Sequence, residues 1–100
     1  MAHVVRTIKL NKLDTLPGTS YCAADMDCDG AMVIVRDDGS LSVAVWVESS
    51  GSNRPSIRYS YQIDAQANYI LGSARYSTKK LDDLLHDMAL INQEKSSDVT

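Results

Sequence analysis

The sequence predicts an α+β fold, in which an antiparallel meander of four or five strands carries one C-terminal helix packed on a face. Three observations support this prediction. Two runs rich in Val and Ile flank Asp37-Asp38-Gly39 and predict a β-hairpin over Ala31–Val47. Apolar and polar residues alternate along Ile57–Ile63, which indicates a strand with one wet face. Apolar residues then recur at helical spacing towards the C-terminus.

Length and composition indicate a single globular domain. The chain has 100 residues, of which 44% are hydrophobic and 23% charged, and its formal net charge is −3. We expect one domain over residues 1–93 and a flexible tail over 94–100. The acidic balance argues against a general nucleic-acid or membrane binder, which normally presents a basic stripe. Because no secretory signal and no bilayer-length apolar run occur, the cytoplasm is the expected compartment.

The register of the hairpin decides which of its side chains face the core. A two-residue turn at Asp38-Gly39 would place Arg36 on the same face as Leu41. A three-residue loop, with Gly39 in the left-handed conformation, gives a wholly apolar face instead, and we therefore favour it. That face comprises Ala31, Val33, Val35, Leu41, Val43, Val45 and Val47. The second face carries Met32, Ile34, Ala44 and Trp46. We expect the rest of the chain or a partner to cover it in part.

The flanking segments are assigned from their local patterns. His3–Leu10 mixes β-branched residues with cations, which suits an edge strand. Asn11–Gly30 contains Pro-Gly and Asp-Gly pairs and is interpreted as a long loop with room for one short helical turn. Asp64–Tyr76 fits either a short helix that ends at Gly72 or a strand over Tyr69–Tyr76, and we favour the strand.

The C-terminal helix is the clearest single element. Ser77 is a suitable N-cap. The apolar stripe of the helix consists of Leu81, Leu84, Leu85, Met88 and Ile91. Its polar side carries Lys79, Asp82, Asp83, His86, Asp87 and Glu94. We expect the stripe to pack against the sheet face that holds Val43 and Val45.

The segment Asp25–Gly30 reproduces the first half of a calcium-binding loop, with acids at alternate positions before a glycine. The second half fails, because Val33 and Arg36 occupy the ninth and twelfth positions. We therefore expect no tight calcium site, no other metal and no cofactor. A weak divalent-metal or small-ligand module centred on Asp25–Gly30 is kept as an alternative.

The cysteines and histidines match no catalytic or zinc-binding spacing. Cys22 and Cys28 are separated by five residues, whereas short zinc-binding pairs are closer together. Free thiols are favoured for a chain without a secretory signal, although a disulfide between the two remains open. His86 lies on the polar side of the helix, where an exposed, ion-paired histidine is the usual outcome. We expect no enzymatic activity.

Acidic side chains dominate the surface that the sequence exposes. Asp83 and Asp87 stand one helical turn apart and repel each other, and Leu90 falls among polar residues, as in a protein-binding spot. The candidate partner-binding residues are Asp82, Asp83, Asp87, Leu90, Asp25, Asp27 and Asp29. We expect a binding or inhibitory protein whose partner is a protein with a basic surface, with no direct contact to nucleic acid or membrane.

The combination of a Gly-turned hairpin, a further strand and a Ser-Thr-capped terminal helix resembles several small phage-encoded inhibitors, including anti-CRISPR proteins. The resemblance covers Val33–Leu90 at the level of pattern, and no functional residues of that class carry over. It implies a stoichiometric inhibitor, in the bacterial host cytosol, that occupies the nucleic-acid path of a bacterial defence complex. A toxin-neutralising or housekeeping adaptor is the alternative within the same class.

Overall fold

An antiparallel sheet, covered on one of its faces by a loop and a helix, forms the structure and places it in the predicted α+β class. The computed structural model describes residues 2–48 and 55–98, and the helical side chains as far as Ala89. Within this part of the chain six strands are hydrogen-bonded in sequence order, followed by one α-helix. The elements are β1 (Val4–Asn11), the 3₁₀ helix η1 (Ala23–Met26), β2 (Gly30–Arg36), β3 (Leu41–Val47), β4 (Ser56–Ile63), β5 (Asn68–Leu71), β6 (Ala74–Ser77) and α1 (Thr78–Asp98). The predicted meander and the edge position of the first strand are confirmed.

The hairpin between β2 and β3 has the predicted three-residue loop. The backbone N–H of Arg36 donates to the carbonyl of Ser40 at 3.0 Å, and Val35 pairs with Leu41. Gly39 has a φ of +87°, in the left-handed region that glycine adopts most readily. The apolar face of the hairpin is therefore the core face.

A β-bulge separates Ile57 from the other apolar residues of β4. Tyr59 pairs with Val45, but the register then shifts, so that Trp46 pairs with Ile57. A bulge adds one residue to one strand and thereby reverses the facing of the residues beyond it. Ile57 consequently lies on the second face of the sheet, where it is 63% exposed. The alternation predicted over Ile57–Ile63 therefore identifies the core-facing residues only from Tyr59 to Ile63.

The segment Asp64–Tyr76 contains two strands where we favoured one. Leu71 pairs with Ala74 across a tight turn, and Gly72 in this turn has a φ of +64°. The glycine that would have ended a short helix instead reverses the chain into a hairpin. This hairpin raises the strand number within the described residues from the expected four or five to six.

The core lies between one face of the sheet and a layer formed by η1, its preceding loop and α1. Helix α1 contacts η1, β5 and β6, and its predicted N-cap, the Ser77 hydroxyl, accepts the backbone N–H of Lys80 at 3.3 Å. Leu81 and Leu85 are each 2% exposed and belong to the same cluster as Val43 and Val45. The other members of the cluster are Leu16, Ala23, Met26, Cys28, Ala31, Val33, Tyr61, Ile63, Tyr69 and Ala89. Loop residues therefore contribute to the core beside the helix.

Two predictions at the C-terminal end are only partly covered by the described residues. The side chain of Ile91, the last member of the apolar stripe, lies outside them. The expected tail, residues 94–100, overlaps the last turn of α1, whose backbone is helical as far as Asp98. The tail itself stays a prediction.

Two buried tyrosines differ in how their hydroxyl groups are satisfied, and we expect opposite responses to their removal. The Tyr61 hydroxyl donates to the carbonyl of Pro17 at 2.7 Å. The Tyr69 hydroxyl is buried without a hydrogen-bond partner among the described residues. Tyr61→Phe should lower the free energy of unfolding by about 1–2 kcal/mol, because a carbonyl loses its donor, whereas Tyr69→Phe should leave it unchanged or raise it. Urea unfolding of the two variants checks this, and an equal loss in both would contradict it.

Candidate functional site

The loop before η1 is fixed onto the first turns of α1 by two side-chain contacts. The backbone N–H of Ser20 donates to Asp82 Oδ1 at 3.0 Å, and the Ser20 hydroxyl donates to both carboxylate oxygens at 3.1 and 3.0 Å. The Tyr21 hydroxyl lies 2.8 Å from His86 Nδ1, and the two rings are tilted by 43° at a centroid distance of 5.7 Å. These contacts join the loop and the helix into one surface.

Four carboxylates gather around the Tyr21 ring. Desolvation raises the pKa of the Tyr21 phenol, and the negative charges of nearby carboxylates raise it further. The carboxylates, in order of decreasing effect, belong to Asp82, Asp25, Asp83 and Asp87. We call these four residues the acidic patch. The charge of the loop acid Asp25, which the sequence analysis included among the partner-binding residues, thus acts on the same group as the acids of the helix.

Two members of the acidic patch also hold the local structure together. Asp25 Oδ2 accepts the backbone N–H of Cys22 at 2.9 Å, which caps η1. Asp82 accepts the donors of Ser20. Asp83 and Asp87 are exposed, and within the described residues neither side chain takes part in a hydrogen bond or an ion pair. Their charges are therefore available to a partner.

Asp27 and Asp29 do not join the acidic patch. Asp27 follows η1 with a φ of +58°, and its backbone N–H donates to Ala24. Asp29 Oδ2 accepts the backbone N–H of Glu48 at 2.7 Å, which ties it to the end of β3. That these two residues act with the helix acids in binding a partner stays a prediction.

The calcium-like loop does not converge on a common point. Asp25 turns to Cys22 and Asp29 to Glu48, in each case to a backbone N–H group. Among the described residues there is no group of three His, Cys, Asp or Glu side chains that could hold a metal ion. The metal-module interpretation of Asp25–Gly30 therefore has no preformed set of ligands among the described residues, and it stays an alternative.

The two cysteines are free thiols in different surroundings. Cys28 is buried and Cys22 is half-buried. Burial raises the pKa of the Cys28 thiol to about 11, against a smaller lowering by Arg58. Because the thiolate is the reactive form, burial and the raised pKa both disfavour Cys28 as a nucleophile.

The sequence offered no sign of the Ser20 and Tyr21 contacts. Ser20 and Asp82 are 62 residues apart in the chain, and Tyr21 and His86 are 65 apart. No local periodicity relates residues at such separations. The side chain of Leu90, the apolar member of the predicted site, lies outside the described residues, so its role stays a prediction.

Comparisons of the chain with protein-family models, with curated protein sequences and with solved structures found no match. Among the described helices, none combines the length and the apolar character that a membrane crossing requires. The function has to be inferred from the chemistry of the acidic patch itself.

Proposed function

We propose that this protein is a non-enzymatic binding protein that engages a basic surface of a protein partner through the acidic patch. The observation that carries the proposal is the position of Asp83 and Asp87, which are exposed and without an ion pair on a helix anchored by its buried side. Tyr21 lies beside them and is held by His86. Ordered aromatic groups next to complementary charge are common at protein interfaces.

The electrostatics of the acidic patch favour a cationic partner. Asp83 and Asp87 repel each other across one helical turn, and Asp25 and Asp82 add negative charge nearby. Lys or Arg side chains of a partner would relieve this repulsion on binding. Opposite charge also accelerates the encounter of two proteins, by about 10- to 1000-fold where steering is strong.

Two groups support a non-enzymatic role. The Cys28 thiol is buried and its pKa is raised to about 11, which disfavours the nucleophilic thiolate. Nδ1 of His86 is engaged by Tyr21, so that this ring atom serves to fix the loop.

The partner that we propose is a nucleic-acid-binding complex of a bacterial host, which the protein would inhibit in the cytoplasm as a phage-encoded anti-defence protein. Channels that hold nucleic acid present Lys and Arg side chains to phosphates. A rigid group of carboxylates offers the same charge as a run of phosphates. A toxin-neutralising or housekeeping adaptor would use the same patch, and the identity of the captured partner separates the two.

Asp83→Lys combined with Asp87→Lys should weaken partner binding, mostly through slower association, while leaving the melting temperature nearly unchanged, because neither carboxylate is paired among the described residues. The experiment immobilises the full chain, exposes it to bacterial lysate and quantifies captured proteins by mass spectrometry. The single variant Asp87→Lys is tested beside the double reversal, and Glu48→Lys is its matched control, since it makes the same change of net charge at an exposed residue outside the patch.

We expect a basic protein to be captured by the wild type and equally by Glu48→Lys, in smaller amount by Asp87→Lys, and in the smallest amount by the double reversal. Equal capture by the double reversal would show that the contact lies elsewhere. Capture of no protein by the wild type above an empty matrix would contradict the proposal as a whole.

A further inference from the structure

Among the described residues no element covers the face of the sheet turned away from the core, and this face is rich in apolar groups. Met32, Ile34, Ala44 and Trp46 are only half-buried there. Ile57 is 63% exposed on the same face. Contiguous apolar surface of this kind usually marks an interaction site. We call it the open face and define it by Lys9, Met32, Ile34, Arg36, Ala44 and Trp46.

The open face is cationic. The described strands contain no Asp or Glu. Lys9 extends over the Trp46 ring, with its Nζ 5.9 Å from the centroid. Arg36 Nη2 donates to the Ser42 hydroxyl at 2.8 Å and retains its other donors. The open face thus carries local positive charge in a protein whose net charge is −3, while other cations, among them Lys79 and Lys80 of α1, lie elsewhere.

The acidic patch lies on the opposite side of the molecule. Its residues belong to the η1 and α1 layer, which covers the other face of the sheet. Half-buried Leu84 lies with Asp83 and Asp87 along a shallow groove of about 320 Å³, which Lys79 and Lys80 also line. This side therefore offers an aliphatic group beside two exposed carboxylates. The open face offers aliphatic groups flanked by cations.

We propose that a second copy of this chain docks its acidic patch on the open face. The observation behind it is the complementary charge of two surfaces that one copy cannot bring together, since the sheet stands between them. Such a contact is heterologous, because it joins two different surfaces. A dimer would leave one acidic patch and one open face free, so that further copies can add to it. A basic partner and a second copy would compete for the same acidic patch.

Nucleic acid is a poorer fit to the open face than a second copy. Single-stranded nucleic acid is bound by several aromatic side chains on which successive bases stack. Trp46 is the single aromatic residue that the described strands place on this face, and Lys9 lies over its ring. The remaining apolar groups are aliphatic and suit the Leu84 side of the acidic patch.

Sedimentation equilibrium of the full chain tests this proposal without any other partner. At low ionic strength the weight-average mass of the wild type should rise from the 11.0 kDa of one chain to more than twice that value with increasing concentration. In about 1 M salt, where the Debye length is about 3 Å, it should return to that of one chain. Lys9→Glu with Arg36→Glu, and separately Asp83→Lys with Asp87→Lys, should each remain monomeric.

An equimolar mixture of the two charge-reversed variants should associate again, because the reversed surfaces are complementary to each other. Arg6→Glu with Lys12→Glu is the matched control, since Arg6 pairs with Val35 on the other side of β1, and this variant should behave as the wild type. If melting curves show that the change at Arg36 prevents folding, Lys9→Glu alone, at an exposed residue, takes its place.

Three results would overturn the proposal. A wild type whose mass stays at 11.0 kDa under all conditions would exclude contact between copies of the chain. It would not argue against the proposed basic partner. Wild-type association that persists in Asp83→Lys with Asp87→Lys would indicate a symmetric dimer through the open face. A monomeric wild type whose Trp46 fluorescence is quenched by oligothymidylate, with the effect lost in the Lys9 and Arg36 variant, would assign the open face to nucleic acid.

Discussion

Leu85→Ala is expected to lower the free energy of unfolding by about 2–5 kcal/mol. The Leu85 side chain is 2% exposed and belongs to the cluster that joins α1 to the sheet and to the loop before β2. Removing it leaves a cavity between rigid elements, and the loss of packing is independent of salt. Because α1 carries Asp82, Asp83 and Asp87, an undocked helix would also disperse the acidic patch.

Leu84→Ala is the matched control for Leu85→Ala, since Leu84 is the neighbouring leucine and is only half-buried. It should cost clearly less in the same urea titration. If Leu85→Ala left the unfolding midpoint unchanged, the helix would not be packed on its assigned side. The assigned positions of Asp82, Asp83 and Asp87 on the surface would then be wrong.

Gly30→Ala is expected to destabilise the fold by about 1–3 kcal/mol and to change the emission of Trp46. A Cβ at position 30 would stand 2.6 Å from Cζ2 of Trp46 and 2.9 Å from the carbonyl oxygen of Leu10. Both distances lie below those of real contacts, and the second involves backbone that cannot move without disturbing the pairing of β1 and β2. The Trp46 ring therefore has to leave its position on Gly30.

A double-mutant cycle with Trp46→Leu isolates the part of this cost that arises from the ring. In the Trp46→Leu background Gly30→Ala should cost less, but not nothing, because the contact with Leu10 remains. Unchanged Trp46 emission together with an unchanged unfolding midpoint would show that the indole does not lie on Gly30. The position of the Trp46 ring on the open face would then be wrong.

Features of the fold that depend on local chemistry were predictable from the sequence. The hairpin register follows from the period of two and from the freedom of Gly39 to adopt a positive φ. The helix and its N-cap follow from apolar spacing and from the Ser77 hydroxyl. Each of these depends on residues within about one or two turns of one another in the chain.

Features that depend on pairing between distant segments were not predictable in this way. The bulge that turns Ile57 away from the core results from how β4 aligns with β3, and the residues of β4 alternate regularly through it. Gly72 fits a helix end as well as a hairpin turn, and only the pairing of β5 with β6 decides between them.

The candidate site also combines features that local sequence predicts with features that depend on contacts between distant segments. The helix acids Asp82, Asp83 and Asp87 were predicted from helical periodicity. Their union with Asp25 depends on Ser20 and Tyr21, which reach α1 across more than sixty residues of sequence. The separation of Asp29 from this group likewise results from a backbone contact at the end of β3.

The rate constant for association with the captured partner, measured at low and high salt, tests the role of the acidic patch most directly. At low ionic strength we expect the wild type to associate about tenfold faster or more than Asp83→Lys with Asp87→Lys. At about 1 M salt, where charges are screened beyond about 3 Å, the two rates should converge. Equal rates at low salt would show that Asp83 and Asp87 are merely solvated and that the partner contacts another surface.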